Sequence, residues 1–129
     1  MTRNATASMA EISATYFQYR EAERSKRGDV EALFWAWEHV DRAVRRSPEL
    51  GIPIVMQLID DAPDDSALMY VAAGPLEDLL CKHGELVAPE LPSLAIDHPR
   101  LVQALRGVWG RQRMKASVVE VIDRLLRQS

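Results

Sequence analysis

The chain has 129 residues, of which 47% are hydrophobic and 27% charged, a composition typical of one globular domain. This length supports a core without metals or disulfides, and the single cysteine, Cys81, excludes an internal disulfide. The N-terminus lacks the apolar region of a signal peptide, and no apolar run is as long as a membrane span. We therefore expect a cytoplasmic protein without a membrane partner.

The net charge of −3 is unevenly distributed along the chain. Residues 1–47 carry eight basic and seven acidic side chains, residues 48–98 carry one basic and ten acidic, and residues 99–129 carry seven basic and two acidic. Two arrangements are compatible with this uneven distribution of charge. Either the basic C-terminal part folds back onto the acidic middle, or the acidic middle faces a basic partner, because such charge steers association.

The first 30 residues predict a disordered N-terminus followed by a helix. Residues 1–7 are small and polar, which is typical of disorder, and a single helical domain is expected over residues 8–129. Ser8 and Glu11 form a capping box for the first helix. Gly28 marks its end, and Asp29 is the expected N-cap of the next helix.

The second helix, about residues 30–46, has the clearest periodicity in the chain. Trp35 points away from its apolar stripe and lies among charged residues, so either the first helix covers it or it is available to anchor a partner. The stripe itself consists of Val30, Leu33, Phe34, Trp37, Val40 and Val44.

A third helix is expected to begin near Ser47 and Pro48, but Pro53 lies too deep for a straight helix that begins there. Either this helix is kinked or it begins at Pro53. Residues 52–59 are rich in β-branched side chains and are also compatible with a buried strand. We prefer a helix, because the sequence offers no second strand for pairing.

Four carboxylates follow within six residues, at Asp60, Asp61, Asp64 and Asp65. The segment lacks the glycine and the distal glutamate of a calcium loop, so no metal site is expected. Asp64 or Asp65 is the natural N-cap of the next helix. The four residues are therefore interpreted as solvated caps or as a docking surface for a basic partner.

Residues 70–84 predict a tight corner between two helices. Gly74 suits the left-handed position after a helix end, and Pro75 suits the first position of a new helix. Glu77 would then lie in the first turn of the new helix, with Asp78 on its polar face. Gly84 is expected to end this helix.

This corner also carries a resemblance to a known family. The matching segments are AAGPLEDLL, KHG and LVQALRGVWG, with FWAWEHV upstream. They resemble an uncharacterised bacterial family known only as a domain of unknown function, over roughly residues 30–110. The resemblance implies a small all-helical fold and brings no catalytic residue and no ligand.

The remaining chain predicts three further helical segments. Residues 85–98 are typical of a helix interrupted at its prolines. Asp97 or His98 would cap the next helix, with Trp109 on its apolar side, and a capping box at Ser117 and Glu120 would begin the last. The expected fold is all-α, with seven or eight short helices in an α-α superhelical, HEAT-like arrangement or an irregular bundle.

No motif for catalysis or for a cofactor occurs in the sequence. It has no P-loop, dinucleotide fingerprint, nucleophile elbow or HExxH pair, so we expect a protein that is not an enzyme and binds no cofactor. Nucleic acid is an unexpected partner, because the pI is about 5.6.

The function that remains is binding of a basic protein. We expect an inhibitor or immunity-type protein that covers a basic toxin or effector, or alternatively an adaptor or scaffold. The predicted partner-binding residues are Asp60, Asp61, Asp64, Asp65, Glu77 and Asp78, with Trp35 as an apolar anchor.

Overall fold

The computed structural model describes residues 7–128, which form helices and turns and no strand, so the predicted all-α fold is confirmed. Because α4, α5 and α6 continue into one another, the described residues make six separate rods in a compact bundle. The helices are α1 (Met9–Ser25), α2 (Val30–Arg46), α3 (Pro48–Asp61), α4 (Asp65–Val71), α5 (Glu77–Val87), α6 (Leu91–Asp97), α7 (Leu101–Leu105) and α8 (Ala116–Gln128).

The predicted disordered segment lies outside the described residues except for Ala7, which packs against the core. Four helices begin at a side-chain cap that local sequence predicts. The side-chain oxygens of Ser8, Asp29, Ser47 and Asp64 each accept a hydrogen bond from the backbone N–H three residues further on, at 2.8–3.2 Å. These caps fix where α1 to α4 start.

Residues 52–59 lie within α3, so the preference for a helix over a strand is confirmed. The helix begins at Pro48 and includes Pro53, which cannot donate the usual backbone hydrogen bond. The buried side chains of Ile54, Val55 and Leu58 follow this proline and stabilise the helix despite the lost bond.

The predicted corner at Gly74 and Pro75 is wrong. The chain stays helical through both residues, and Ala72–Leu76 form one π-helical turn between α4 and α5. The wider turn is visible in the hydrogen bond from the Glu77 N–H to the carbonyl of Ala72, five residues earlier. Gly74 does not adopt a left-handed conformation. A π turn accommodates the proline that would disrupt a regular α-helical turn.

Gly84 does not end α5 as expected, because α5 continues to Val87. A Cβ on Gly84 would lie 2.8 Å from Cγ2 of Val118, so the glycine allows α5 and α8 to pack closely. The irregular residue is the preceding one, His83, whose φ of −129° and ψ of 24° are non-helical. Its Nε2 lies 2.9 Å from the Val44 carbonyl oxygen, so the half-buried ring lies at the edge of the core.

Three expectations for the C-terminal part are also wrong. Neither Asp97 nor His98 caps α7, because α6 extends to Asp97 and a turn separates the two helices. The last helix begins before Ser117, so this residue is not its N-cap. α7 ends at Leu105, and Trp109 lies beyond it with 81% of its surface exposed. The short α7 therefore does not carry Trp109 into the core.

The buried face of α2 is narrower than the predicted stripe. Its buried residues are Ala36, Val40 and Val44. Phe34 is exposed at the bundle surface and stacks on Trp37, with ring centroids 5.4 Å apart. Trp37 itself is half-buried and lines a cleft.

Candidate ligand cleft and acidic surface

A cleft of about 220 Å³ lies where α1 and α2 meet the π turn. We call it the π-turn cleft. Its most deeply buried lining residues are Tyr16, Val40 and Val44. The half-buried rings of Trp37 and Tyr70 also line it. The cleft is therefore mainly apolar and rich in aromatic surface.

The two tyrosines of the cleft are held together in their neutral form. Their ring centroids lie 5.8 Å apart, and the guanidinium carbon of Arg20 lies 5.1 Å from the centroid of Tyr70. Burial raises the pKa of Tyr16, and the neighbouring Tyr70 raises it further. Burial raises the pKa of Tyr70 as well, with a smaller effect from the charge of Glu23. Both phenols thus remain protonated at neutral pH.

Two carboxylates, Asp41 and Asp78, complete the lining. Asp41 Oδ2 accepts a hydrogen bond from Arg45 Nε at 2.9 Å. Within residues 7–128, no hydrogen bond or ion pair engages the Asp78 carboxylate, which is half-buried. Burial raises the pKa of Asp78, and the nearby charge of Asp41 raises it further, although Arg45 and Lys82 oppose this. The cleft therefore contains one carboxylate without a bonding partner.

Gly74 lines the cleft on the side of the π turn. A Cβ at this position would meet no atom within 4 Å, and the backbone there is not left-handed. The glycine is therefore required neither by a left-handed backbone nor by a close contact. Its missing side chain leaves space in the cleft.

The α3–α4 acidic turn comprises Asp60, Asp61, Asp64 and Asp65, which all lie at the protein surface. Asp64 caps α4 through a hydrogen bond from the backbone N–H of Ala67, at 2.8 Å. The other three contact polar side chains: Asp60 contacts His98, Asp61 contacts Gln57, and Asp65 contacts Gln103, at 2.8–3.0 Å. Each carboxylate is thus held in one orientation.

Arg100 is the cation that lies at this turn. Its Nη1 donates to the backbone carbonyls of Ile59 and Ala62, at 3.1 and 2.9 Å, and to that of Asp60 at 3.4 Å. These hydrogen bonds engage the guanidinium with backbone carbonyls at the C-terminal end of α3. The carboxylates of the turn keep most of their own acceptor capacity.

Glu77 has a different environment from the other predicted partner-binding residues. It is only 8% exposed and accepts hydrogen bonds from the backbone N–H of Trp109, at 2.8 Å, and from Arg113. Lys115 forms an ion pair with Glu85, and both of these side chains are exposed. The basic C-terminal part therefore does fold back onto the acidic middle, at these two pairs.

Trp35, the predicted apolar anchor, is half-buried and packs against the core. Trp109 is far more exposed, and sequence reasoning had assigned it to a buried face. Asp41 and the aromatic lining of the cleft were also missed. Tyr16, Trp37 and Tyr70 lie on three separate helices, and no spacing in the sequence signals that they converge.

The groups most often used in catalysis or metal binding are dispersed. Among residues 7–128, no three histidine, cysteine, aspartate or glutamate side chains are arranged to hold a metal ion. Burial raises the pKa of the Cys81 thiol and lowers that of His39. The same part of the chain contains no helix that is long and apolar enough to cross a membrane.

Comparison with known proteins gives a family but no annotated relative. Neither the curated proteins nor the solved structures include a match to this chain. A family match covers residues 23–129, which include all of the π-turn cleft except Tyr16, and all of the acidic turn. The chain therefore belongs to the family of unknown function DUF6869.

Proposed function

We propose that this domain is a non-catalytic protein-binding domain whose α3–α4 acidic turn docks a basic protein. The observation that carries the proposal is the ordering of four surface carboxylates within one turn by contacts inside the domain. In its more specific form, the domain is an inhibitor or immunity-type protein that covers a basic toxin or effector. An adaptor or scaffold that binds the same kind of surface is the alternative.

Ordered carboxylates support binding in two ways. A carboxylate that is already oriented loses little conformational entropy when a partner engages it, which lowers the cost of association. Each ionised carboxylate also offers about four lone-pair sites, and the contacts observed here use one of them. Arginine or lysine side chains of a partner can therefore bind the remaining sites without disrupting the fold.

The charge of the turn favours a basic partner over other occupants. Four carboxylates face His98 and Arg100, and the latter is directed at backbone carbonyls. The resulting local negative charge accelerates encounter with a positively charged surface, and this effect weakens as salt rises.

The experiment is capture of partners from a native lysate with the wild-type domain and two charge-matched triple variants. One variant carries D60N, D61N and D65N, which retain an acceptor oxygen at each position. Asp64 is left unchanged because it caps α4. The control carries E31Q, E38Q and E90Q, which remove three exposed carboxylates elsewhere.

We expect the first variant to lose a basic partner that the wild type and the control retain, and the wild-type complex to weaken between low and high salt. A partner that binds the first variant as tightly as the wild type would overturn the proposal. The effect of the domain on the activity of the recovered partner then distinguishes an inhibitor from an adaptor. Inhibition of its activity by the domain supports the inhibitor, and unaffected activity supports the adaptor.

A further inference from the structure

We infer that the π-turn cleft is a subsite for the guanidinium group of an arginine side chain on the basic partner. This inference rests on the proposed function, because it names a residue that the partner must present. It concerns a different part of the surface from the α3–α4 acidic turn, so the two can fail independently.

The lining of the cleft favours a cation. Trp37 and Tyr70 offer aromatic rings, whose faces attract a positive charge. Asp41 and Asp78 add two carboxylates, and only Asp41 has a bonded counter-charge, Arg45. A bound cation would supply the partner that Asp78 lacks and would reduce the repulsion between the two carboxylates.

The same groups favour guanidinium over other cations. A quaternary ammonium has no N–H and would leave the Asp78 carboxylate without a hydrogen bond. A guanidinium is planar, stacks on aromatic rings and donates several hydrogen bonds in a fixed geometry that matches carboxylates. A lysine ammonium can pair with Asp78 but cannot stack on Trp37 in this way.

Two arginines of the domain, Arg20 and Arg45, lie at the cleft, and neither forms an ion pair with Asp78. Arg45 is bonded to Asp41 and its side chain is 61% exposed. Arg20 lies over the Tyr70 ring, and its Nη2 donates to Ser66 Oγ at 2.8 Å. The space left by Gly74 remains open to a group from outside.

The test uses N-acetyl-arginine amide as the probe, titrated into the isotopically labelled domain and followed by NMR. We expect saturable shifts confined to the Trp37 indole and to amides near Asp41, Tyr70 and Asp78. The citrulline analogue, which has the same shape without the charge, should bind at least about tenfold more weakly, as should tetramethylammonium. Absence of saturable shifts, or equal shifts with citrulline, would overturn the inference.

Two variants test whether the probe binds in the π-turn cleft. D78N removes the unpaired charge, and G74L fills the cleft without backbone strain, because Gly74 is not left-handed and leucine favours helices. Each should weaken probe binding at least about tenfold, whereas E38Q, an exposed change on α2, should leave it unchanged. Unaltered binding by D78N and G74L would show that the probe binds elsewhere.

The outcomes also separate this inference from the proposed function. If the probe does not bind while the acidic-turn variant still loses the partner, only the subsite is wrong. If the probe binds as expected while the acidic-turn variant retains the partner, the subsite stands and the docking surface is misplaced.

Discussion

Replacement of Glu77 by alanine tests how the segment that carries Trp109 is held against α5. The Glu77 carboxylate is nearly buried and accepts hydrogen bonds from the Trp109 backbone N–H and from Arg113. A Cβ on Gly110 would lie 2.8 Å from Glu77 Oε2, so this glycine allows the backbone to approach the ion pair. We therefore treat Glu77 as the contact that fixes the chain between α7 and α8.

The magnitude follows from these two bonds. A hydrogen bond to a charged group contributes about 1.5–3 kcal/mol, which applies to the Trp109 N–H. The bond to Arg113 contributes about 0–1 kcal/mol, because that side chain is 54% exposed and can return to water. E77A should therefore reduce the free energy of unfolding by about 1.5–4 kcal/mol. E77Q keeps a neutral acceptor and should cost about 1–2 kcal/mol.

Urea unfolding followed by circular dichroism measures these values, with E38Q as a surface control. R113A and the E77A/R113A double variant complete a cycle, in which the double variant should cost less than the sum of the single variants. A cost below about 0.5 kcal/mol for E77A would show that other contacts hold the Trp109 segment. Strict additivity would show that Glu77 and Arg113 do not interact.

Three further predictions address separate parts of the fold. Because the pKa of Asp78 is raised, its ionised form destabilises the folded state, and stability falls as pH rises through that pKa. D78N should therefore raise the melting temperature at neutral pH. This gain should vanish in acid below pH 3.8, where the carboxyl is protonated in both the folded and the unfolded state. G84A should reduce the free energy of unfolding in urea by about 1–3 kcal/mol, because the added Cβ would clash with Val118. V118A should relieve part of this loss. An equal loss with and without V118A would refute the clash. D64A should cost about 1 kcal/mol by losing the α4 cap, with D64N close to wild type; equal losses in D64A and D64N would contradict a capping role.

Features that depend on neighbouring residues were predictable from the sequence. The caps at Ser8, Asp29, Ser47 and Asp64 are examples, because each satisfies a backbone group three residues away. The helical state of residues 52–59 followed from the absence of a second strand. The all-α fold was therefore accessible without any knowledge of long-range contacts.

Features that depend on tertiary contacts were not predictable. Glycine followed by proline fits a corner as well as a π turn, and burial decides between them. Leu68 and Val71 precede the turn and Leu79 follows it, and all three are fully buried, which favours one continuous rod. The cleft also escaped prediction, because its aromatic residues come from three helices and only Asp78 of its carboxylates stood among the predicted binding residues.

The π turn has a consequence for the permissible length of this chain. A hydrogen bond that spans five residues contains one residue more than an α-helical turn, and each residue advances an α-helix by about 100°. Deletion of a single residue from 72–76 would restore regular winding and rotate everything downstream by about that angle. His83 on α5 would then be displaced from the Val44 carbonyl on α2, although both residues would still be present. The spacing between α4 and α5 is thus a requirement of the fold in its own right, independent of which amino acids occupy it.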